Sequence, residues 1–164
     1  MVIIGLISDT HGYFDPAIKT HFEDCHAIWH AGDIGENNVL DQLKELKPTL
    51  AVYGNIDSKE MQWQLPENEF IELEGLRFLL THIAGTPPKY NKRIKELLKT
   101  QAVDVIICGH SHRETIKKDR ENNIVFLNPG AAGKQGFHTK RHLMKMHLFD
   151  KKIVNLEIIP LGGR

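Results

Sequence analysis

Apolar positions fall along this chain in short runs, and most of these runs stop at a residue that can bind a metal. The first, Val2 to Ile7, is too short for an ordinary helix, is rich in β-branched residues and is closed off by Gly12, which predicts a buried strand. Asp9 follows it, and His11 stands two positions later. On extended backbone, residues i and i+2 point the same way, so these two side chains are expected to converge. Further short runs over 27–31, 49–53, 76–80 and 103–108 lead into Gly32-Asp33, Gly54-Asn55-Ile56-Asp57, Thr81-His82 and Gly109-His110-Ser111-His112.

The stretches between the early runs have helical spacing. Asp15-Pro16 reads as a cap and first turn opening a helix to about residue 23. Val39, Leu40, Leu43 and Leu46 make one apolar face over 36–46, stopped by Pro48, and a lysine-rich amphipathic helix is expected over 90–100. Strand, helix, strand, helix, strand argues for a mainly parallel sheet with crossover helices. Hairpins over 70–73 and 76–80, 115–118 and 124–127, and 143–149 and 153–159 add antiparallel pairing. Residues 85–88 read as a loop, as does the glycine-rich, basic stretch from Asn128-Pro129-Gly130 to about residue 141. With no repeat or linker, one α/β domain over 1–164 is expected.

Composition narrows the function classes. Twenty-one Lys and Arg balance twenty-one Asp and Glu, so no stable nucleic-acid binding is expected, and the basic runs 89–99 and 134–145 read as solvated faces. Cys25 and Cys108 are too few for a disulfide framework or a thiolate metal site. No segment reaches the length of a membrane span, and no basic leader precedes the first apolar run, so a cytoplasmic protein without membrane association is expected.

The five runs supply Asp9, His11, Asp33, Asn55, His82, His110 and His112: two carboxylates, one amide and four imidazoles. That set exceeds the needs of one ion and suits two first-row divalent metals sharing a carboxylate. In open α/β sheets, ligands sit beyond the carboxyl ends of the strands, so the five loops should share one edge. Of the other histidines, His30 reads as packed within its strand, and His21, His26, His142 and His147 as surface or internally bonded. His138, in the loop after Gly130, is within reach of the pocket and is a candidate substrate-binding residue.

Asp9-x-His11, Gly32-Asp33, Gly54-Asn55-x-Asp57, Thr81-His82 and Gly109-His110-x-His112, in this order, resemble the calcineurin-like metallophosphoesterase superfamily. The small size and Asn128-Pro129-Gly130 resemble its compact bacterial and archaeal phosphodiesterase branch. The resemblance implies a four-layer α/β/β/α sandwich of two mixed sheets flanked by helices. It implies that Asp9, His11, Asp33 and His112 hold one ion, that Asp33, Asn55, His82 and His110 hold the other, and that Asp33 bridges them. Asp33, Asn55 and His110 are the catalytic subset the resemblance leads one to expect. Manganese is the first expectation for the two ions, with zinc, iron and nickel also matching the donors.

Two departures stand out. Ile56 occupies the place where many phosphatases of the superfamily have a histidine after the Gly-Asn pair. Ile83-Ala84-Gly85 follows His82 where relatives commonly have Gly-His.

The expected activity is a dinuclear phosphoric diester hydrolase, in which a hydroxide bridging the two ions attacks a small phosphodiester. Two divalent ions bring four positive charges, and Asp9, Asp33 and hydroxide remove three. The single remaining charge suits a phosphodiester monoanion. A phosphomonoester would need a further cation, for which Arg113, Lys134 and Arg141 are the candidates. The alternatives are a phosphomonoesterase or, on the same fold, a non-catalytic scaffold like a retromer subunit, against which the full ligand set argues. The sequence carries no argument for or against a homo-oligomer.

Overall fold

The computed structural model describes residues 1–164. Strands β1 (Val2–Ile7), β2 (Ala27–His30) and β3 (Thr49–Ala51) run parallel, with β11 (Lys140–Phe149) and β12 (Lys152–Gly163) added antiparallel on the far side of β1. The second sheet has the order β4 (Asn68–Leu73), β5 (Leu76–Thr81), β8 (Val105–Ile107), β10 (Ile124–Pro129), β9 (Glu114–Asp119). Its strands β5, β8 and β10 are parallel, while the outer two are antiparallel hairpin partners. Both sheets are mixed, as expected.

Alternation explains the layers. Ile4 and Leu6 of β1, Trp29 of β2 and Met144, Met146 and Leu148 of β11 meet Phe78, Leu80, Val105, Ile107 and Leu127 in one core between the sheets. The opposite face of the first sheet is also apolar. Ile7, Ile28 and Ala51 pack there against Ile18 of α1 (Ala17–His21), Val39, Leu40 and Leu43 of α2 (Asn37–Leu46) and Met61 of α3 (Lys59–Gln64). Leu79, Ile106 and Phe126 of the second sheet cover Ile94 of α4 (Lys92–Thr100) in the same way. Sheets buried on both faces are why their strands read as unbroken apolar runs rather than as alternation.

Several boundaries differ from the sequence reading. Helix α1 is confined to residues 17–21, because Phe22 has already left helical geometry (φ −100°, ψ 13°). Helix α3 lies outside the helices expected from apolar spacing; its signal is Ser58, whose Oγ accepts from Met61 N at 3.2 Å as an N-cap. Residues 85–90 fold into a two-stranded ribbon, β6 (Gly85–Thr86) and β7 (Lys89–Tyr90), rather than a plain loop. The last hairpin extends to residues 140–163, much longer than its apolar stretch. No helix is long and apolar enough to cross a membrane.

Candidate metal centre

The carboxyl ends of β1, β2, β3, β5 and β8 meet at one end of the sandwich, and all seven predicted ligand residues lie there. Backbone hydrogen bonds lace the loops together: Asp9 N donates to Gly32 O (3.0 Å), His11 N to Asp33 O (3.0 Å) and Gly109 N to His82 O (3.0 Å). Asp57 completes the lacing. Its buried carboxylate accepts from Ile34 N (3.2 Å), Gly35 N (2.8 Å) and Gly54 N (2.8 Å), tying the Asp33 loop to the Asn55 loop. The motif Gly54-Asn55-Ile56-Asp57 by itself gives Asp57 no role. Three backbone donors on one buried carboxylate supply it.

Asp9 and His11 converge for a different reason from the one expected. Asp9 (φ 53°), His11 (φ 46°), Asp33 (φ 56°), His110 (φ 71°) and His112 (φ 61°) all adopt left-handed backbone. Extended alternation ends at Ile7, and the turn geometry aims the side chains instead. Space is as tight as the backbone: a Cβ at Gly109 would run into Ser8 Oγ and Asp9 Oδ2.

The ligand atoms fall into two groups, Asp9, His11 and His112, and Asp33, His82 and His110, each with its atoms within 4.8 Å of one another. Asp33 Oδ2 faces both, at 3.6 Å from His11 Nε2 and 3.2 Å from His82 Nε2. Its other oxygen accepts from Ile56 N at 3.0 Å. Asn55 Oδ1 lies 3.0 Å from His82 Nε2 and 3.1 Å from His110 Nδ1, beside the second group. Asp9, Asp33 and His82 are buried, His11 and His112 half-buried, and Asn55 and His110 exposed, so the centre opens on one side.

The donor chemistry fits metal ions. Asp9 Oδ2 is taken by Ser8 Oγ (2.6 Å) and His110 N (3.0 Å). Asp9 Oδ1, however, is buried without a hydrogen-bond partner, as is His11 Nε2. Buried lone pairs aimed at a common point call for a cation. His82 Nδ1 donates to Ala31 O at 2.7 Å, which leaves Nε2, between Asp33 and Asn55, as the nitrogen that takes a proton or an ion.

The charges agree. Burial would raise the Asp9 carboxyl, but the neighbouring imidazoles of His112 and His82 and the Ser8 hydrogen bond together hold it below its ordinary value. Asp33 is likewise lowered: burial opposes the charge, and the His82 hydrogen bond and charge, with Ile56 N, outweigh it. His82 moves up, because the Asp33 hydrogen bond and the two carboxylate charges overcome burial. The oxygens that favour a proton on His82 Nε2 favour a metal ion in its place.

His30 is packed, as expected. Burial drives its pKa down to about 3, which keeps it neutral. Its Nδ1 accepts from Gly32 N (3.1 Å), and its Nε2 lies 3.0 Å from Thr10 Oγ1, which itself donates to Ile34 O (2.9 Å). His142, by contrast, is buried and faces Glu114 Oε2 at 3.4 Å.

The candidate substrate cations separate. Arg141 is buried and spends its donors on Asp15 Oδ2 (2.7 Å), Ala132 O, Leu161 O and Gly163 O, so it belongs to the frame rather than the pocket. Burial opposes ionisation of Asp15, but Arg141 and the Ala17 N–H hold its carboxyl below the ordinary range. Lys134 lies over the Tyr13 ring, 4.4 Å from its centroid. Arg113 alone of the three lines the cleft of about 560 Å³ over the ligand atoms, together with Ile56, Phe137 and His138. His138 lines the cleft with both ring nitrogens already engaged, Nε2 with Gly133 O (2.9 Å) and Nδ1 with His112 Nδ1 (3.0 Å).

Known proteins resemble this chain in sequence and in fold. The profile of the calcineurin-like phosphoesterase superfamily domain matches residues 2–151. A probable metallophosphoesterase of Methanocaldococcus jannaschii is 32% identical over 166 residues, covering 98% of this chain and 82% of that protein. A second, from Methanothermobacter thermautotrophicus, is 32% identical over 135 residues, covering 79% of this chain and 77% of its own. Among solved structures, an archaeal phosphodiesterase aligns over 98% of this chain and 100% of its own with TM-score 0.76 and 22% identity. Vps29 of Chaetomium thermophilum aligns over 98% and 97% with TM-score 0.75 and 17% identity; these two likenesses show the fold alone. On the family match and the identity to its relatives, the chain belongs to the calcineurin-like phosphoesterase superfamily.

Proposed function

We propose that this metal-dependent phosphoesterase is a phosphodiesterase acting on small substrates, with two divalent ions, manganese first among them, held by the seven residues at the strand ends. The observation that carries this reading is Asp33 Oδ2, which faces ligand atoms of both groups. Bound there, two divalent ions supply Lewis acidity for the phosphoryl oxygens and acidify the attacking water. The chain's own residues do the rest. Ser8 and the His110 N–H orient Asp9, the Ile56 N–H orients Asp33, and Ala31 O orients His82. His110 and Asn55 lie on the open side, where they meet the substrate.

Three features favour a diester over a monoester. The centre keeps one net positive charge, which matches a monoanion. Arg113 is the one side-chain cation lining the cleft, where a dianion would call for more. Ile56 and Phe137, 47% and 104% exposed, form an apolar rim that suits an organic substituent on phosphorus. Cys25 and Cys108 are both free thiols, which accords with a reducing, cytoplasmic setting. Both are buried, and burial raises the Cys25 thiol to about 11 and the Cys108 thiol further, so neither serves as a nucleophile.

Ile56 sharpens the reading. It lines the cleft and has no proton to give, so a leaving group that departs unaided is favoured. A positioned general acid contributes about 10²–10⁴-fold. The manganese-loaded protein should therefore hydrolyse aryl diesters much faster than alkyl diesters, and faster than the matching aryl monoester. Ile56→His should narrow the gap between aryl and alkyl diesters. A panel of diesters spanning leaving-group acidity, run beside the monoester, measures this. Preference for the monoester would overturn the diester assignment. Absence of turnover with both ions bound would favour a scaffold role.

A further inference from the structure

His138 stands outside the ligand set, yet its hydrogen bonds decide which nitrogen of His112 is bare. His138 Nε2 lies 2.9 Å from Gly133 O. A carbonyl only accepts, so this nitrogen carries the proton of the neutral ring, and Nδ1 is left as an acceptor. That acceptor lies 3.0 Å from His112 Nδ1, with the two rings edge-on at 4.8 Å and 77°. His112 must then donate from Nδ1. Its Nε2 keeps a lone pair, pointed at the partnerless Asp9 Oδ1 from 3.1 Å.

We infer that His138 is a positioning residue, which locks His112 in the Nδ1–H tautomer and so presents Nε2 to the ion held by Asp9 and His11. The inference rests on the metal-centre reading above. The second group shows the same logic in simpler form, since Ala31 O performs this task for His82 directly. No backbone carbonyl meets His112 Nδ1, and a second imidazole takes that place.

The loop is built to bring it there. Gly133 N donates to Asp9 O at 3.0 Å, which anchors the start of the loop on the end of the first strand. Gly136, at φ 131°, passes so close that a Cβ would run into His112 Nδ1. The guanidinium of Arg164 donates to Gly136 O, and Arg164 N to Thr139 O at 3.2 Å, which holds the far side. An acceptor on the outer nitrogen of a ligating imidazole fixes its orientation and raises its basicity. Loss of such a partner typically costs 10–100-fold in metal affinity.

The test has two arms. In the metal-free wild-type protein, above the pH range where imidazoles protonate, ¹⁵N chemical shifts should show His112 protonated at Nδ1. His138→Leu should move it toward the Nε2–H form. In calorimetric titrations with Mn²⁺ alone, His138→Leu should weaken one of two binding events by about 10–100-fold and leave the other unchanged. His138→Gln, whose amide oxygen can accept from His112, should recover most of that loss. An Nε2-protonated His112 in the wild type would overturn the inference, as would unchanged Mn²⁺ affinity in His138→Leu. Both readouts are independent of turnover, so a failed diester assignment leaves them intact.

Discussion

Left-handed backbone serves two ends of this molecule in opposite ways. Away from the metal centre, Glu74-Gly75 closes β4 to β5 and Asp150-Lys151 closes β11 to β12, each with φ positive at both turn residues. Paired positive φ is what a two-residue hairpin needs to match strand twist. The turns are exposed, and their cost is met locally by the strands they join. At the metal centre, Asp9, His11, Asp33, His110 and His112 take the same conformation, at about 1–2 kcal/mol each, but join no hairpin. Their left-handed geometry turns side chains from different loops toward one point. Backbone bonds between loops, and the Asp57 carboxylate, hold them there. One end uses strain to close the chain on itself, and the other uses it to gather candidate ligands. Strain of the second kind is a mark of function.

Three substitutions test the contrast. The largest effect is expected at Asp33, whose Oδ2 faces both groups of ligand atoms. Asp33→Asn should lower bound manganese from two ions per chain to at most one and reduce phosphodiester turnover by on the order of 10³-fold. Elemental analysis under saturating metal, with steady-state kinetics, measures both. A wild-type protein that never holds more than one ion would break the dinuclear reading at its root.

Asp57→Ala comes next, because it strands three backbone donors at once. A loss of about 3 kcal/mol is expected, or roughly 6–12 °C in Tm for a chain of this size. Weaker metal binding should accompany it as the Asp33 and Asn55 loops separate. Unchanged metal affinity in a still-folded Asp57→Ala would show that the lacing stabilises the fold without shaping the site.

The smallest effect belongs to the other end. Asp150→Gly removes a left-handed Cβ from an exposed turn, and after the added entropy of the unfolded chain it should stabilise by about 0.5 kcal/mol. Metal content and turnover should stay as they were. If both respond, the two ends are mechanically coupled and the contrast drawn above is wrong.

What the sequence determined by itself was the inventory and its order. Short apolar runs ending in Asp9, Asp33, Asn55, His82 and His110 are legible because a buried strand imposes its pattern over six or so residues. A ligand beyond its end needs no distant information to be recognised. The motifs carried the family, and the hairpins carried the mixed sheets. Tertiary structure decided how the ligands converge. Bonds such as Asp9 N to Gly32 O, His11 N to Asp33 O and Gly133 N to Asp9 O join residues far apart in the chain, and no local pattern encodes them. For the same reason Arg141 read as a surface cation until Asp15, 126 residues away, was seen to bury it. His138 reads from the sequence as a pocket residue, and only the fold shows its two nitrogens on Gly133 and His112. A side chain's chemistry is written in its identity, but which of its lone pairs remains free depends on neighbours that only the folded chain supplies.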